Sequence, residues 1–268
     1  MTKRAVILAR GLGTRMRRTD QSATVSGAQA DVAATGVKAL IPIGRPFLDY
    51  VLDAVAQSGL TEIGLVIGPE HDAIRDYYAS LAPSRLRIDF IVQREPRGTA
   101  DAVLAAEPWT AGEAFFVLNS DNYYPVSALS ALAALDEPGL VAFSRRGLLA
   151  EGQIDPARIA SFAVLDLHGD YLARIIEKPD PATLASLGTD LYVSMNCWRF
   201  DARIFDACRA VPLSPRGELE LPLAVQHAMT SGEMRVRAIR TDEAVLDLSS
   251  RGDIASVASR LAGVEVRL

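Results

Sequence analysis

Gly11-Leu12-Gly13-Thr14-Arg15 stands directly behind a short apolar run, AVILA at residues 5–9. A glycine turn after a buried strand lets backbone N–H groups approach a phosphate with no Cβ in the way. Two familiar phosphate turns are excluded. A dinucleotide fingerprint needs a third glycine where Met16 stands, and a Walker A loop needs a closing Gly-Lys-Ser/Thr that is missing. What is left is a phosphate turn that carries its own arginine. Its surroundings suit that use. Residues 1–18 hold six cations (Lys3, Arg4, Arg10, Arg15, Arg17, Arg18), and the first acid is Asp20. Over the full chain the balance reverses to a net charge of −5. A basic island in an acidic protein favours a small polyphosphate over a long nucleic acid, whose binding needs clustered Lys and Arg throughout. No nucleic-acid partner is expected. Asp121 closes the apolar run at residues 115–118, where open α/β sheets bind ligands. Gln93 also follows an apolar run, and its amide sets one acceptor beside a donor pair.

These residues need strands to carry them. Strand patterns at residues 5–9, 63–67, 86–92 and 115–118 alternate with helical patterns at 46–58, 73–81 and 98–106. Continuous apolar strands between helices imply an α/β fold, a Rossmann-like, mostly parallel sheet covered on both faces. The second half is more mixed. It has strand patterns at 162–167, 173–177 and 191–198, and helical patterns at 202–210, 219–229 and 253–261. Residues 17–36, rich in Ala, Ser, Thr and Gln, read as one long irregular loop, either a lid or a plain insertion. No internal repeat or hexapeptide tail is present.

Composition narrows the class further. A chain of 268 residues is one large domain or two small ones. With 49% hydrophobic and 23% charged residues it buries enough apolar surface to exclude a disordered chain. The longest uncharged stretch, residues 122–135, is shorter than the ~18 residues of a membrane span, so no membrane partner is expected. The five-residue apolar run near the N-terminus falls short of the ~7–15 residues of a signal-peptide core, which implies a cytoplasmic protein. Two cysteines and three scattered histidines exclude a disulfide framework and a four-cysteine zinc site.

Seven segments occur in a fixed order: LARGLGTRM (8–16), VKALIPIGRPFLDYVL (37–52), QREPRGTADAV (93–103), VLNSDNYY (117–124), EKP (177–179), RGELEL (216–221) and LDLSSRGD (246–253). In this order they resemble the sugar-nucleotide pyrophosphorylases, nucleotidyltransferases that join an NTP to a sugar 1-phosphate. The chain looks most similar to the glucose-1-phosphate thymidylyl- and uridylyltransferases, and the resemblance runs from about residue 4 to residue 260. It implies the nucleotide-diphospho-sugar transferase fold as a single domain over 1–268. Residues 1–125 would form the nucleotide-binding half, and 126–268 a sugar-phosphate-binding half with a smaller β-rich subregion.

The resemblance also implies roles. Arg15 and Lys38 are the catalytic cations, on the leaving pyrophosphate and the α-phosphate. Leu8, Gly11, Gly13, Thr14, Gln93 and Gly98 bind the nucleotide, with Gln93 reading uracil or thymine. Asn122, Glu177, Lys178 and Asn196 take the sugar phosphate, and Arg216-Gly217-Glu218 lies near it. Asp121 and Asp247 are the ligands of Mg²⁺, the expected cofactor. The chemistry is consistent with this set. A phosphate monoester, with a second pKa of about 6, is already an anionic nucleophile, so no general base is needed. Bringing two anions together instead calls for cations and a metal.

Some positions depart from the family's pattern. Arg10 stands where Ala or Gly is usual, and would add a phosphate contact or crowd the turn. Val37 replaces a proline before Lys38, and the gap from Arg15 to Lys38 is longer than usual. Ala163 in Phe162-Ala163-Val164 replaces a glycine and would narrow the sugar pocket. The expected substrates are therefore UTP or dTTP with a hexose 1-phosphate, glucose 1-phosphate foremost. GTP with mannose 1-phosphate, and a non-catalytic nucleotide-sugar-binding regulator, are the alternatives. A nicotinamide oxidoreductase is disfavoured by Met16. The resemblance leaves a homo-oligomer open.

Overall fold

The strand β1 (Arg4–Leu8) has nothing polar between its ends, because both faces of the sheet around it are buried. It pairs in parallel with β2 (Glu62–Ile67) on one side. β3 (Arg87–Val92) extends the sheet beyond β2, and β4 (Phe115–Asn119) flanks β1 on the other side, also in parallel. The rest of the chain contributes β5 (Asn122–Tyr123), β6 (Gly139–Ser144), β7 (Ala163–His168), β8 (Tyr171–Ile176), β9 (Tyr192–Phe200), β10 (Arg237–Thr241) and β11 (Leu246–Asp247). The large sheet has nine strands in the order β3-β2-β1-β4-β9-β6-β10-β8-β7, with β7 also reaching back to β9. β5 and β11 form a separate ribbon. The computed structural model describes residues 2–268 apart from Gln153, Ala160, Ser161, Lys178, Leu187 and Thr189.

Alternation along each strand feeds two cores. Ala5, Ile7, Phe116, Leu118, Val141 and Phe143 face one, packed by the helices Phe47–Gln57, Asp72–Leu81, Val126–Ala133 and Asp253–Leu261. Val6, Phe115, Val117, Leu140 and Ala142 face the other, covered by Thr99–Ala105, Arg203–Ala210 and Leu221–Thr230. The expected α/β sheet with helices on both faces is present, and it is mixed. β9 runs antiparallel to β4, β6 and β7, and so inserts second-half chain beside the parallel strands. Among the described residues no helix is long and apolar enough to cross a membrane.

The expected long loop over 17–36 is not what forms. A helix spans Gly27–Thr35, started by a reciprocal cap between Ser26 and Gln29 and stopped by Gly36 in a left-handed conformation. Its residues are mostly small and only Ala33 is buried, so it has no apolar stripe to reveal it. Gln29 Nε2 donates to the Pro42 carbonyl at 2.9 Å, which ties the helix to the segment beyond Lys38.

Residues 97–100 and 219–221, far apart in the chain, are laced together. Ala100 N–H donates to the Leu219 carbonyl at 2.8 Å, Leu219 N–H donates to the Arg97 carbonyl at 2.8 Å, and Leu221 N–H donates to Thr99 Oγ1 at 2.8 Å. Gly98 makes this approach feasible: its φ is +123°, and a Cβ there would sit 2.4 Å from the Leu219 carbonyl oxygen. Gly98→Ala should therefore lower the thermal midpoint by the equivalent of ~1–3 kcal/mol, from backbone strain plus parted segments. A midpoint unchanged in a calorimetric scan would show that the two segments can separate freely.

Candidate active site

A cleft opens where β9 leaves β4. The two strands pair antiparallel from Phe115↔Phe200 to Val117↔Trp198. Along its length β9 stays on β6, but on its other edge it exchanges β4 for β7, so that Ser194 pairs with both Ala142 and Ala163. The change is made at Asn196, whose φ of +55° is left-handed, a conformation asparagine tolerates better than most residues. Tyr124 Oη donates to the Met195 carbonyl at 2.7 Å and Asn122 Nδ2 donates to it at 3.0 Å, which fixes the point of departure. The resulting cleft has a volume of about 480 Å³.

Charge concentrates at one wall of it. Asp121 lies in the turn after β4, and β11 brings Asp247 beside it. Asp247 pairs with Asn122 in the β5–β11 ribbon, and Leu248 N–H donates to the Asp121 carbonyl at 2.8 Å. Lys38 opens a single helical turn, Lys38–Leu40, and its Nζ lies 2.6 Å from Asp121 Oδ2. The Arg158 guanidinium bonds Asp247 through Nη2 and Asp253 through Nη1, the latter at 2.8 Å. Ser249 Oγ adds a hydrogen bond to Asp247 at 3.0 Å. Burial first, and the charge of Asp121 second, push the Asp247 carboxyl up to about 6, against the opposing pull of Arg158. Asp121 and Asp247 are thus the pair that could hold a divalent cation. No group of three or more His, Cys, Asp or Glu poised for a metal exists among the described residues.

Opposite them lies the glycine turn. Gly13 has φ +60°, and a Cβ there would sit 2.1 Å from the Gly36 carbonyl oxygen, so only glycine fits. Around Gly11 the space is open. Thr14 and Arg15 are exposed on the short helix Thr14–Arg17, and Arg15 reaches the cleft without an ion pair among the described residues. The Leu8 carbonyl accepts from Ser120 N–H at 3.2 Å. Gln93 follows β3 and is only 4% exposed. Its Nε2 donates to the Gly98 carbonyl at 3.1 Å and to Asp101 Oδ2 at 2.8 Å. With those donors committed, Oε1 is left as the group that can accept from a ligand.

Arg10 packs against the Gln93 turn. It is 7% exposed, and its Nε and Nη2 donate to the carbonyls of Gln93 and Arg94 at 2.8 and 3.3 Å. Nη1 lies 3.0 Å from Glu70 Oε1 without the alignment of a hydrogen bond. It therefore props the Gln93 turn.

The structure brings six of the expected site residues to one cleft: Arg15, Asp121, Asn122, Glu177, Asn196 and Asp247. Lys38 joins through Asp121. Leu8, Gly11, Gly13 and Thr14 belong to the strand end and turn that carry Arg15, whereas Gly98 and Gln93 adjoin through Thr99, a lining residue. Asn122 lines the wall with its amide donors already spent on Met195 and Tyr124. Lys178 lies outside the described residues. Arg216 pairs with Glu218 at 3.2 Å and with Glu220 at 3.4 Å on the far side. Sequence reasoning missed Arg158, Ser194, Glu220 and Ser249. Ser249 and Glu220 sit inside quoted segments, whereas nothing in the type or spacing of Arg158 pointed to Asp247.

Comparison with known proteins gives a consistent picture. The family described as Nucleotidyl transferase matches residues 4–262. A glucose-1-phosphate thymidylyltransferase of Streptomyces antibioticus is 30% identical over 85% of this chain, which spans 58% of that protein's length. The UTP--glucose-1-phosphate uridylyltransferase AglF of Haloferax volcanii is 27% identical over 96% of each chain. A solved structure of UDP-glucose pyrophosphorylase complexed with UDP-glucose superposes with a TM-score of 0.75 at 16% identity, covering 99% of this chain and 100% of that one. At that identity the likeness shows the fold alone.

The raised carboxyl of Asp247 has a consequence for stability. Its ordinary value is 3.8 and its folded value about 6, so between those limits the folded chain holds a proton that the unfolded chain has lost. Stability from this group is fully present below the lower value and falls as pH rises through the upper one. With divalent cations chelated, the parent should lose ~1–3 kcal/mol relative to Asp247→Asn between about pH 4 and pH 6. Denaturant melts of the two proteins across that range check it, and a constant difference between them would contradict it.

Proposed function

The chain belongs to the nucleotidyl transferase family, and we propose that it transfers a nucleotidyl group from UTP or dTTP to a hexose 1-phosphate, glucose 1-phosphate foremost, releasing pyrophosphate. The observation that carries this reading is the meeting in one cleft of Arg15, the Lys38–Asp121 pair, Asp247, Glu177 and Asn196. The thymidylyl- and uridylyltransferase names of two relatives support the choice of base and sugar.

In the reaction an oxygen of the sugar phosphate attacks the α-phosphorus. The bond from that phosphorus to the bridging oxygen breaks, and pyrophosphate leaves with the electron pair. No proton needs to move. Arg15, exposed on its short helix, clamps the β- and γ-phosphate oxygens with a planar fork. Lys38 acts as a point charge beside the α-phosphate. Gln93 Oε1 accepts the N3–H of uracil or thymine. The matching ring nitrogens of cytosine and adenine carry no hydrogen, so an acceptor there disfavours both; guanine keeps its hydrogen and is the stronger competitor. Glu177 and Asn196 hold the sugar, with Lys178 on its phosphate.

Asp121 and Asp247 would hold Mg²⁺. They fit it: two neighbouring carboxylates, one of them resisting ionisation, match a cation that takes one or two carboxylates and completes its shell with phosphates and water. When bound, Mg²⁺ neutralises the phosphates and the developing charge.

Pyrophosphate release over a grid of NTPs and sugar 1-phosphates tests the reading. UTP or dTTP with glucose 1-phosphate should turn over. Arg15→Ala and Lys38→Ala should each lose ~10²–10³-fold in kcat, and Asp121→Ala should abolish metal-dependent turnover. Gln93→Ala should relax base choice more than it slows the preferred pair. Nucleotide-sugar binding without turnover for any pair would identify a regulator instead.

A further inference from the structure

Each carboxylate assigned to the metal already holds a cation of the chain. Lys38 sits on Asp121 and Arg158 on Asp247. The two cations are held differently. Lys38 has no second carboxylate partner among the described residues. Arg158 has one in Asp253, at 2.8 Å, and Asp253 is itself fixed. Its Oδ2 accepts from Ser249 N–H at 3.0 Å, from Ser250 N–H at 2.6 Å and from Ser250 Oγ at 2.9 Å. Ser249 Oγ returns to Asp247. The Arg158 guanidinium is therefore shared between one carboxylate that lines the cleft and one outside its lining. Asp253 starts the Asp253–Leu261 helix, so the second hold is anchored in a packed element.

We propose that Arg158 is a positioning residue that occupies Asp247 until a divalent cation arrives with the nucleotide; the inference rests on the reading of Asp121 and Asp247 as metal ligands. A free metal ion must displace Lys38, for which no second carboxylate waits among the described residues, whereas Arg158 falls back on Asp253. A metal that comes on a triphosphate brings anionic oxygens for Lys38 and Arg15, and Arg158 keeps its bond to Asp253. The arrangement makes loading of the metal conditional on the phosphates. It also keeps a buried carboxylate paired with a cation before the metal binds.

The test is binding of Mn²⁺ alone, without nucleotide, followed by calorimetry and by the spin signal of the free ion. Removing a positive charge beside a divalent site should tighten binding, so Arg158→Gln is expected to bind Mn²⁺ about tenfold more tightly than the parent. Arg158→Lys, which keeps the charge, should stay close to the parent. Arg158→Met, which keeps the aliphatic stem, serves if the glutamine protein does not fold. Adding Asp121→Asn to the neutral variant should remove the gain. If neutral variants bind Mn²⁺ no more tightly than the parent while Asp121→Asn still weakens it, the role of Arg158 is overturned and the metal site stands. If Asp121→Asn changes Mn²⁺ binding in neither background, the metal site itself is wrong, and the role of Arg158 falls with it. A merely structural arginine would give weaker binding when removed, the opposite sign.

Discussion

Two carboxylates set side by side in a partly buried wall cannot both stay ionised without cations close at hand. Asp121 and Asp247 are in that position, and the elements around them answer it. The β5–β11 ribbon, two residues on each strand, exists to hold residues 121–123 against 246–248. The Lys38 turn delivers an ammonium to the first carboxylate and Arg158 a guanidinium to the second. Arg15, by contrast, reaches the same cleft with no ion-pair partner among the described residues.

Room for a second ligand comes from the backbone. A sheet whose strands stayed paired to their ends would leave no gap beside β4. β9 pairs with β4 for only three residues and then crosses to β7, and Asn196 absorbs the change in a left-handed conformation. The side of the cleft by the glycine turn needs no such break, because the loops after parallel strands already converge at their C-terminal ends. One half of the cleft is thus given by topology, and the other by a single irregular residue held by Tyr124 and Asn122.

The parallel strands were legible because burial on both faces leaves an unbroken apolar run with a clear stop, as at Ile67 before Gly68-Pro69. β10 was not. It carries Arg237 and Arg240, and these lie over the rings of Tyr171 and Tyr192, so an apolar pattern is absent from a strand that is nonetheless well paired. The Gly27–Thr35 helix was missed for a related reason: its start is encoded in Ser26 and Gln29, not in periodicity. At the site, Asp121 and the glycine turn could be read from position alone, and Asp247 from the resemblance. Arg10 stood out as unusual, yet its direction depends on carbonyls 83 and 84 residues away, which no local pattern records.

The contact between Gly13 and Gly36 has a bearing on how this chain tolerates change. Their backbones touch, and Arg17 Nε donates to the Thr35 carbonyl at 3.0 Å, so the excursion between them begins and ends at one point. A detour with coincident ends can be lengthened, trimmed or exchanged at little entropic cost, since closure is already made by its base. The stretch beyond Arg17 can then vary as an ornament on the rim, while Arg15 before it and Lys38 after it stay in place.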